Sequence, residues 1–181
     1  MDFLELVSSR QSARAFDPEQ SVEKEKIERI IEAARLAPSA CNAQPWSFVV
    51  VDEPDLKNKI ADATSSRVLG MNHFTKQAPV HLLLVEEKVN ISSGIGGWIK
   101  KKDYAQMDLG IVAAHIVLAA QAEGLGTCIV GWFDEDKVKD LLHIPTSKRV
   151  WLDIVIGYST QPLRLKSRKS VDKILSFNRY K

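Results

Sequence analysis

Residues 37–52 read APSACNAQPWSFVVVD, and within this stretch a polar loop gives way to an apolar run. Small, amide and proline residues fill positions 38–46, a composition typical of surface loops that carry function. Ser47–Asp52 is short, apolar and bounded by a proline and an acid, which predicts a buried strand. Asn42 and Gln44 offer paired donor and acceptor edges that suit a planar heterocycle. The stretch therefore predicts a ligand loop that leads directly into a sheet.

Apolar spacing on either side of this stretch predicts the other elements of the fold. Helices are predicted at residues 2–9, at Val22–Leu36 with Ser21 as N-cap, at Asp55–Ala63 on the surface, at Trp98–Glu123, and from a cap at Asp134 through Leu142. Further strands are predicted at Val80–Val85, Cys128–Gly131 and Arg149–Tyr158. The elements lack the strict alternation of a doubly wound sheet, so the predicted class is α+β, with a small mixed central sheet covered by helices. One domain over residues 1–181 is expected.

Composition excludes several classes of function. Lys and Arg number 25 against 23 Asp and Glu, and a net charge of +2 gives no general field for nucleic acid or a membrane surface. Two cysteines far apart do not resemble the disulfide framework of a secreted domain, and the acidic start lacks the pattern of an export signal. The apolar run Leu109–Ala122 is shorter than the roughly 20 residues that span a bilayer. A cytoplasmic protein is expected.

Familiar catalytic patterns are absent from the sequence. The four histidines show no spacing suited to a metal, so no metal site is predicted. There is no nucleophile elbow and no phosphate-binding P-loop. Gly94, Gly96 and Gly97 are interpreted as a flexible approach to the long helix, and Gly124 as its end. Cys41 has no histidine near it in sequence, so a small side chain in a tight loop is the preferred interpretation.

Two basic clusters remain near the ends of the chain. Arg10, Ser12 and Arg14 alternate along an extended turn, which places them on one side. Arg164, Lys166, Arg168 and Lys169 provide enough charge to bind one phosphate. Each cluster taken alone is equally consistent with a solvated surface.

Taken together, these clusters resemble the bacterial nitroreductases. The matching motifs, in order, are Arg10–Arg14, Ala37–Trp46, Gly124–Gly131, Gly157–Tyr158 and Lys166–Arg168. Their order and spacing span nearly the whole chain, and the Pro-Ser-x-x-Asn-x-Gln-Pro-Trp string is specific. The resemblance implies an intertwined homodimer that binds two FMN molecules at the subunit interface. It also implies that a C-terminal arm, about residues 160–181, packs on the partner subunit.

The resemblance carries over to individual positions. Contacts with the FMN phosphate, ribityl chain and pyrimidine edge are expected from Arg10, Gln11, Ser12 and Arg14, with Lys166 and Arg168 closing on the phosphate. Residues from the other subunit that line the flavin are expected to be Pro38, Ser39, Ala40 and Asn42. The ring is expected to lie along Ile129, Val130, Gly131 and Trp132, with Asn72 as a further amide candidate.

The expected activity is hydride transfer from NAD(P)H through bound FMN to a nitroaromatic, quinone or similar acceptor, by a ping-pong mechanism in one pocket. Flavin supplies this chemistry, so no acid, base or nucleophile of the protein is required. Arg14 is expected to stabilise the reduced flavin. Three alternatives remain: the same flavin used for reductive dehalogenation or flavin turnover, a flavin-binding redox sensor or store without turnover, and a structural dimer with a decayed site.

Overall fold

The computed structural model describes residues 2–66, 68–88 and 103–180. Its centre is a four-stranded sheet whose strands are β1 (Trp46–Val51), β2 (Val80–Glu86), β3 (Gly126–Val130) and β4 (Val150–Gly157). Their spatial order is β1-β2-β4-β3, and each neighbouring pair is antiparallel. β2 and β4 are therefore the central strands, which explains why β2 is apolar at nearly every position.

Five α-helices lie in the described ranges. They are α1 (Phe3–Ser9), α2 (Lys24–Arg35), α3 (Pro54–Thr64), α4 (Tyr104–Ala122) and α5 (Glu135–Leu142). Short 3-10 helices occur at Ala40–Asn42, His73–Gln77 and Val171–Lys173.

Helices cover both faces of the sheet, and alternate residues of β2 divide between them. Leu82 and Leu84 join a core cluster with α2 and α4, whereas Leu83 and Val85 join a second cluster with α3 and α5. A third cluster, around Ala13 and Cys128, extends the core to the outer edge of β3. The α+β class and the helix-covered sheet are therefore confirmed.

Three details of the prediction need correction. The four strands are antiparallel rather than mixed, because the parallel pairing found in the described part of the chain is only an isolated bridge between Ser12 and Thr127. Ser21 does not cap α2, which begins at Lys24 after Glu23. The Glu23 side chain gives no cap either, since it accepts a hydrogen bond from Tyr158 Oη at 2.7 Å. Finally, α3 is not simply a surface helix, because one face of its second half is buried.

α4 is apolar on nearly all sides. Eight of its residues are buried, including Val112 and Ile116, yet Met107 and Ile111 are exposed. The helix is long and apolar enough to cross a membrane by length and composition, but its packing against α2 is that of a core helix. Its outer face forms a groove with α1, lined by apolar side chains and His115. The predicted start of this helix at Trp98 and the glycines at 94–97 lie outside the described residues.

Candidate active site

The segment that carries the first basic cluster runs along the free edge of β3. Ser12 bridges Thr127, and Ala13 N donates to Thr127 O at 2.8 Å. Glycine is required at position 126, because a Cβ there would lie 2.8 Å from Ser159 Cβ and 3.0 Å from Ala13 Cβ. Ala13 is buried as a result, and its neighbours Ser12 and Arg14 point away from the core.

The second basic cluster folds back onto this segment. Gln11 Nε2 donates to Pro162 O at 3.0 Å, and Gln11 Oε1 accepts from Arg164 N at 3.1 Å. The Arg164 guanidinium donates to Ser12 O at 2.9 Å, and Lys166 Nζ donates to Ser8 O. Gln11 therefore holds residues 162–164 in place through both the donor and the acceptor of its side-chain amide.

Between the two segments lies a cavity of about 320 Å³, called here the cationic cavity. It is lined by Arg10, Gln11, Ser12, Arg14, Arg164, Leu165, Lys166, Ser167 and Arg168. Within residues 2–66, 68–88 and 103–180, none of its five cations forms an ion pair with a carboxylate. Loss of hydration lowers the pKa of Lys166, and the charges of Arg10 and Arg168 lower it further. A bound anion would relieve this repulsion.

The structure thus brings together six of the predicted site residues from opposite ends of the chain: Arg10, Gln11, Ser12, Arg14, Lys166 and Arg168. Arg164, which the sequence predicts in the phosphate-binding run, also lines the cavity, and its guanidinium donates to Ser12 O. The signal for Arg164 was present in sequence, since it belongs to the same run of charge.

Asp108 of α4 binds the backbone of the predicted ligand loop. Ala40 N donates to both carboxylate oxygens of buried Asp108, each at 3.1 Å, and Gln44 N donates to Ser39 Oγ at 2.9 Å. Cys41, Asn42 and Gln44 all have positive φ, at 52°, 52° and 47°. Such left-handed backbone at non-glycine residues is a strain that folded proteins concentrate at functional sites.

The amide contact within this loop differs from the prediction, and the support that Asp108 gives the loop was not predicted. Gln44 Nε2 donates to Asn42 Oδ1 at 3.1 Å, so the two amides engage each other instead of presenting free edges. Asp108 was not predicted, although a carboxylate in the middle of an apolar helix was its signal. The cationic cavity of the described chain is not lined by Pro38, Ser39, Ala40 or Asn42.

The end of β3 and the two residues that follow it are partly exposed, and Asn72 contacts them. Ile129 and Trp132 are 43% and 46% exposed, whereas the Val130 side chain is buried. Asn72 adopts φ 58° and donates through Nδ2 to Thr64 O at 3.1 Å and to Trp132 O at 3.3 Å. Asn72 therefore lies beside the Ile129–Trp132 segment along which the flavin ring is expected. Because its side chain is buried, Val130 can contact a ligand there only through its backbone.

Comparison with known proteins agrees with this arrangement. The family model described as the nitroreductase family matches residues 7–73 and 66–158. A putative NAD(P)H nitroreductase, YdgI, of Bacillus subtilis is 28% identical over 82% of this chain and 84% of its own length. Rat iodotyrosine deiodinase 1 is 27% identical over 96% of this chain and 68% of its own length.

A solved structure of an FMN-dependent nitroreductase from Clostridium difficile is also similar. It has a TM-score of 0.76 and 27% identity, and the match covers 98% of this chain and 100% of that one. The family match spans most of the sheet, the ligand loop and the first basic cluster. The chain therefore belongs to the nitroreductase family.

Proposed function

We propose that this chain is a cytoplasmic oxidoreductase that binds FMN and passes a hydride from NAD(P)H to a nitroaromatic, a quinone or a similar acceptor by a ping-pong mechanism. The observation that carries the proposal is the cationic cavity, in which five cations meet without a carboxylate partner in the described ranges. A terminal phosphate carries close to two negative charges at neutral pH and accepts several charge-assisted hydrogen bonds. The residues present therefore fit such a group.

Named roles follow from this fit. Arg10, Lys166 and Arg168 would hold the phosphate, because all three line the cavity and the charges of Arg10 and Arg168 both lower the pKa of Lys166. Gln11, Ser12 and Arg14 line the same cavity and would contact the rest of the cofactor. The ring would lie along the partly exposed segment of Ile129, Val130, Gly131 and Trp132, close to Asn72.

The chain itself would position reactants and exclude water. Bound FMN would supply the hydride chemistry. The cationic cavity contains no His, Cys, Asp or Glu among its described lining residues, and it thus lacks histidine, the side chain whose ordinary pKa lies nearest neutral pH. Arg14 provides a fixed positive charge that favours the reduced cofactor. Protons for the product would come from solvent.

We also propose that the working form is a homodimer in which the partner supplies Pro38, Ser39, Ala40 and Asn42 to the flavin site. Two exposed apolar regions support this. The outer face of α4 and α1 forms an apolar groove of about 540 Å³. The C-terminal arm exposes Ile174, Phe177 and Tyr180. Apolar surface of this extent on adjacent elements is typical of an interface between subunits.

The test is to purify the full chain and record its visible absorbance, then titrate it anaerobically with NADH and with NADPH. We expect the purified protein to be yellow and to bleach with either nucleotide. It should regain its colour when a nitroaromatic or a quinone is added. Double-reciprocal plots for donor and acceptor should be parallel. A chain that binds no FMN overturns the proposal, and one that binds FMN but never bleaches is a flavin store.

A second candidate is reductive dehalogenation, favoured by the similarity to rat iodotyrosine deiodinase 1 over 96% of this chain. Iodide release from an iodinated tyrosine by the reduced holoprotein would support it. Reduction of nitroaromatics without iodide release would favour the first candidate.

A further inference from the structure

The chain that follows β4 returns along the segment that carries the first basic cluster. Phe16 and Ser159 form an isolated antiparallel bridge, and Thr160 N donates to Ala15 O at 3.2 Å. Up to this point main chain pairs with main chain. In the described chain, the hydrogen bonds that join residues 161–168 to residues 8–14 instead involve a side chain. The position of the second basic cluster against the first therefore depends on individual side chains.

Two glutamines, one on each segment, make these contacts reciprocally. Gln11 donates to Pro162 O at 3.0 Å and accepts from Arg164 N at 3.1 Å. Gln161 in turn accepts a hydrogen bond from Arg14 N, with 2.7 Å between Arg14 N and Gln161 Oε1. Each segment thus contributes one amide side chain that binds the backbone of the other segment.

Gln161 lies behind the cationic cavity and not in its lining. It lines a second cavity of about 230 Å³, whose lining also includes Ser9, Gln11 and Gln121. Gln11 lines both cavities, so it belongs to the wall between them. Among the described residues, the lining of the cationic cavity does not include Gln161. An effect of Gln161 on a ligand there would therefore pass through Arg14, whose backbone it binds.

An uncharged amide suits this position between two basic segments. It donates and accepts at once, and Gln11 uses both functions for Pro162 O and Arg164 N. A carboxylate could accept a bond from Arg164 N or Arg14 N, but it could not donate to Pro162 O. Its charge would also pair with the cations and reduce their attraction for a phosphate. The glutamines therefore join the two segments and leave the positive charge available.

We propose that Gln161 is a positioning residue of the cationic cavity, which together with Gln11 forms a two-glutamine latch. The two-glutamine latch fixes the spacing of the two basic segments for one phosphate group without neutralising them. Spacing that is fixed before the ligand arrives lowers the ordering cost of binding. The inference rests on the proposed function in taking a phosphate group as the ligand, but its test uses inorganic phosphate and no flavin.

The test begins with Gln161→Met in the full chain. Met has a similar length but no amide oxygen, so Arg14 N loses its partner. Hydrogen exchange at the Arg14 amide, followed by NMR, should become faster. The affinity for inorganic phosphate, measured by isothermal titration calorimetry, should fall about threefold to tenfold, the size of one ordinary hydrogen bond.

Gln161→Glu separates position from charge, because it keeps an acceptor oxygen and adds a negative charge. The Arg14 amide of Q161E should exchange as slowly as in the wild-type chain. Its phosphate affinity should differ from wild type only by an amount that shrinks as NaCl is added, because salt screens the added charge. The deficit of Q161M should persist in NaCl. A deficit in Q161E that persists equally would contradict the role of the acceptor oxygen.

Gln121→Met is the matched control, since Gln121 lines the same second cavity from α4. It should leave the Arg14 exchange rate and the phosphate affinity unchanged. Folded Q161M in which either readout stays at the wild-type value overturns the inference.

If Q161M does not fold, the wild-type chain decides. Phosphate binding and closure of the two-glutamine latch are coupled, so phosphate should slow exchange at the Arg14 amide. An unchanged exchange rate in saturating phosphate overturns the inference. A wild-type chain that binds neither phosphate nor FMN overturns the proposed function itself, whereas wild-type binding without a change in Q161M overturns only the latch.

Discussion

Lys166 and Arg168 lie in one cavity with Arg10, and both donate hydrogen bonds to backbone carbonyl groups rather than to carboxylates. Lys166 Nζ donates to Ser8 O, and Arg168 Nη1 donates to Ser167 O at 2.7 Å. A carbonyl oxygen orients a cation without cancelling its charge, as a carboxylate would. The residues therefore stay in position while their charge remains available to a ligand.

Replacing Arg168 or Arg10 by Ala should weaken FMN binding by about 1.5 to 3 kcal/mol each, the range for a charge-assisted hydrogen bond. Quenching of FMN fluorescence on titration with flavin-free protein measures the affinity. Arg35→Ala is the matched control, since Arg35 is an exposed arginine paired with Glu32 on α2. If both R10A and R168A bind FMN with unchanged affinity, the assignment of the FMN phosphate to this cavity is wrong.

Cys41→Ala should retain most of the rate of flavin reduction. The thiol is exposed on the predicted ligand loop, and nothing on the described chain donates a proton to it or takes one from it. A general acid or base contributes about 10² to 10⁴ in rate. Stopped-flow bleaching with NAD(P)H, together with FMN content, gives the comparison. A loss of that size with FMN still bound would add Cys41 to the catalytic groups.

At the scale of helices and strands, hydrophobic periodicity identified the α-helices and strands of the described chain to within a few residues, apart from the start of α4, whereas the 3-10 helices at Ala40–Asn42 and His73–Gln77 were not predicted. The apolar faces of α2 and β2 are local patterns, and local patterns are visible in sequence. What could not be predicted depends on contacts between distant residues. Glu23 accepts a hydrogen bond from Tyr158 and does not cap α2, and Asp108 accepts one from the backbone of a loop 68 positions away. The antiparallel order of the strands likewise depends on how the chain connects them in space.

The same limit applies to the site. The motifs predicted Arg10 and Lys166 as residues of one site, and the structure places both in the lining of one cavity. The contacts of Arg164 with Ser12 O and of Asp108 with Ala40 N were not predicted, because each joins a side chain to a backbone atom of a distant segment. Spacing along the chain contains no information on such pairs.

Glu135 joins the start of α5 to the start of β4, and its charge should stabilise the fold at neutral pH. Partial burial alone would raise the pKa of Glu135, but hydrogen bonds from Arg149, Lys139 and Val150 N outweigh it and lower the pKa to about 2. A depressed folded-state pKa gives stability that is present above the ordinary value of 4.5 and is lost as the pH falls toward 2.

Glu135→Gln should therefore lower the free energy of unfolding at pH 7 by about 1 to 3 kcal/mol. The deficit should shrink as the pH falls below the ordinary carboxyl pKa. Urea unfolding across this range measures both effects. Asp136→Asn, one position along and exposed, should change stability by less than about 0.5 kcal/mol. A deficit in E135Q that is independent of pH would assign its role to packing instead of charge.

On the scale of the whole molecule, removing residues 170–181 should loosen the dimer and the flavin together. The arm exposes Phe177 and Tyr180, which have no core of their own in the described chain, so a partner subunit is expected to cover them. Sedimentation at micromolar concentration should give a dimer for the full chain and a monomer, with less FMN, for the shortened chain. A full-length holoprotein that sediments as a monomer of about 20 kDa would exclude this account.

The cationic cavity also determines when during its synthesis the protein can acquire a ligand. Gln11, which lines the cavity, donates to Pro162 O, 151 positions further along the chain, and all four strands precede residue 158. A ribosome therefore completes the whole sheet before the strip containing Arg164, Lys166 and Arg168 emerges. The N-terminal segment of the cavity, which runs along β3, is therefore synthesised long before the C-terminal segment that completes the cavity. An anion can therefore contact both segments of the cavity only once residues 10–168 have all been synthesised.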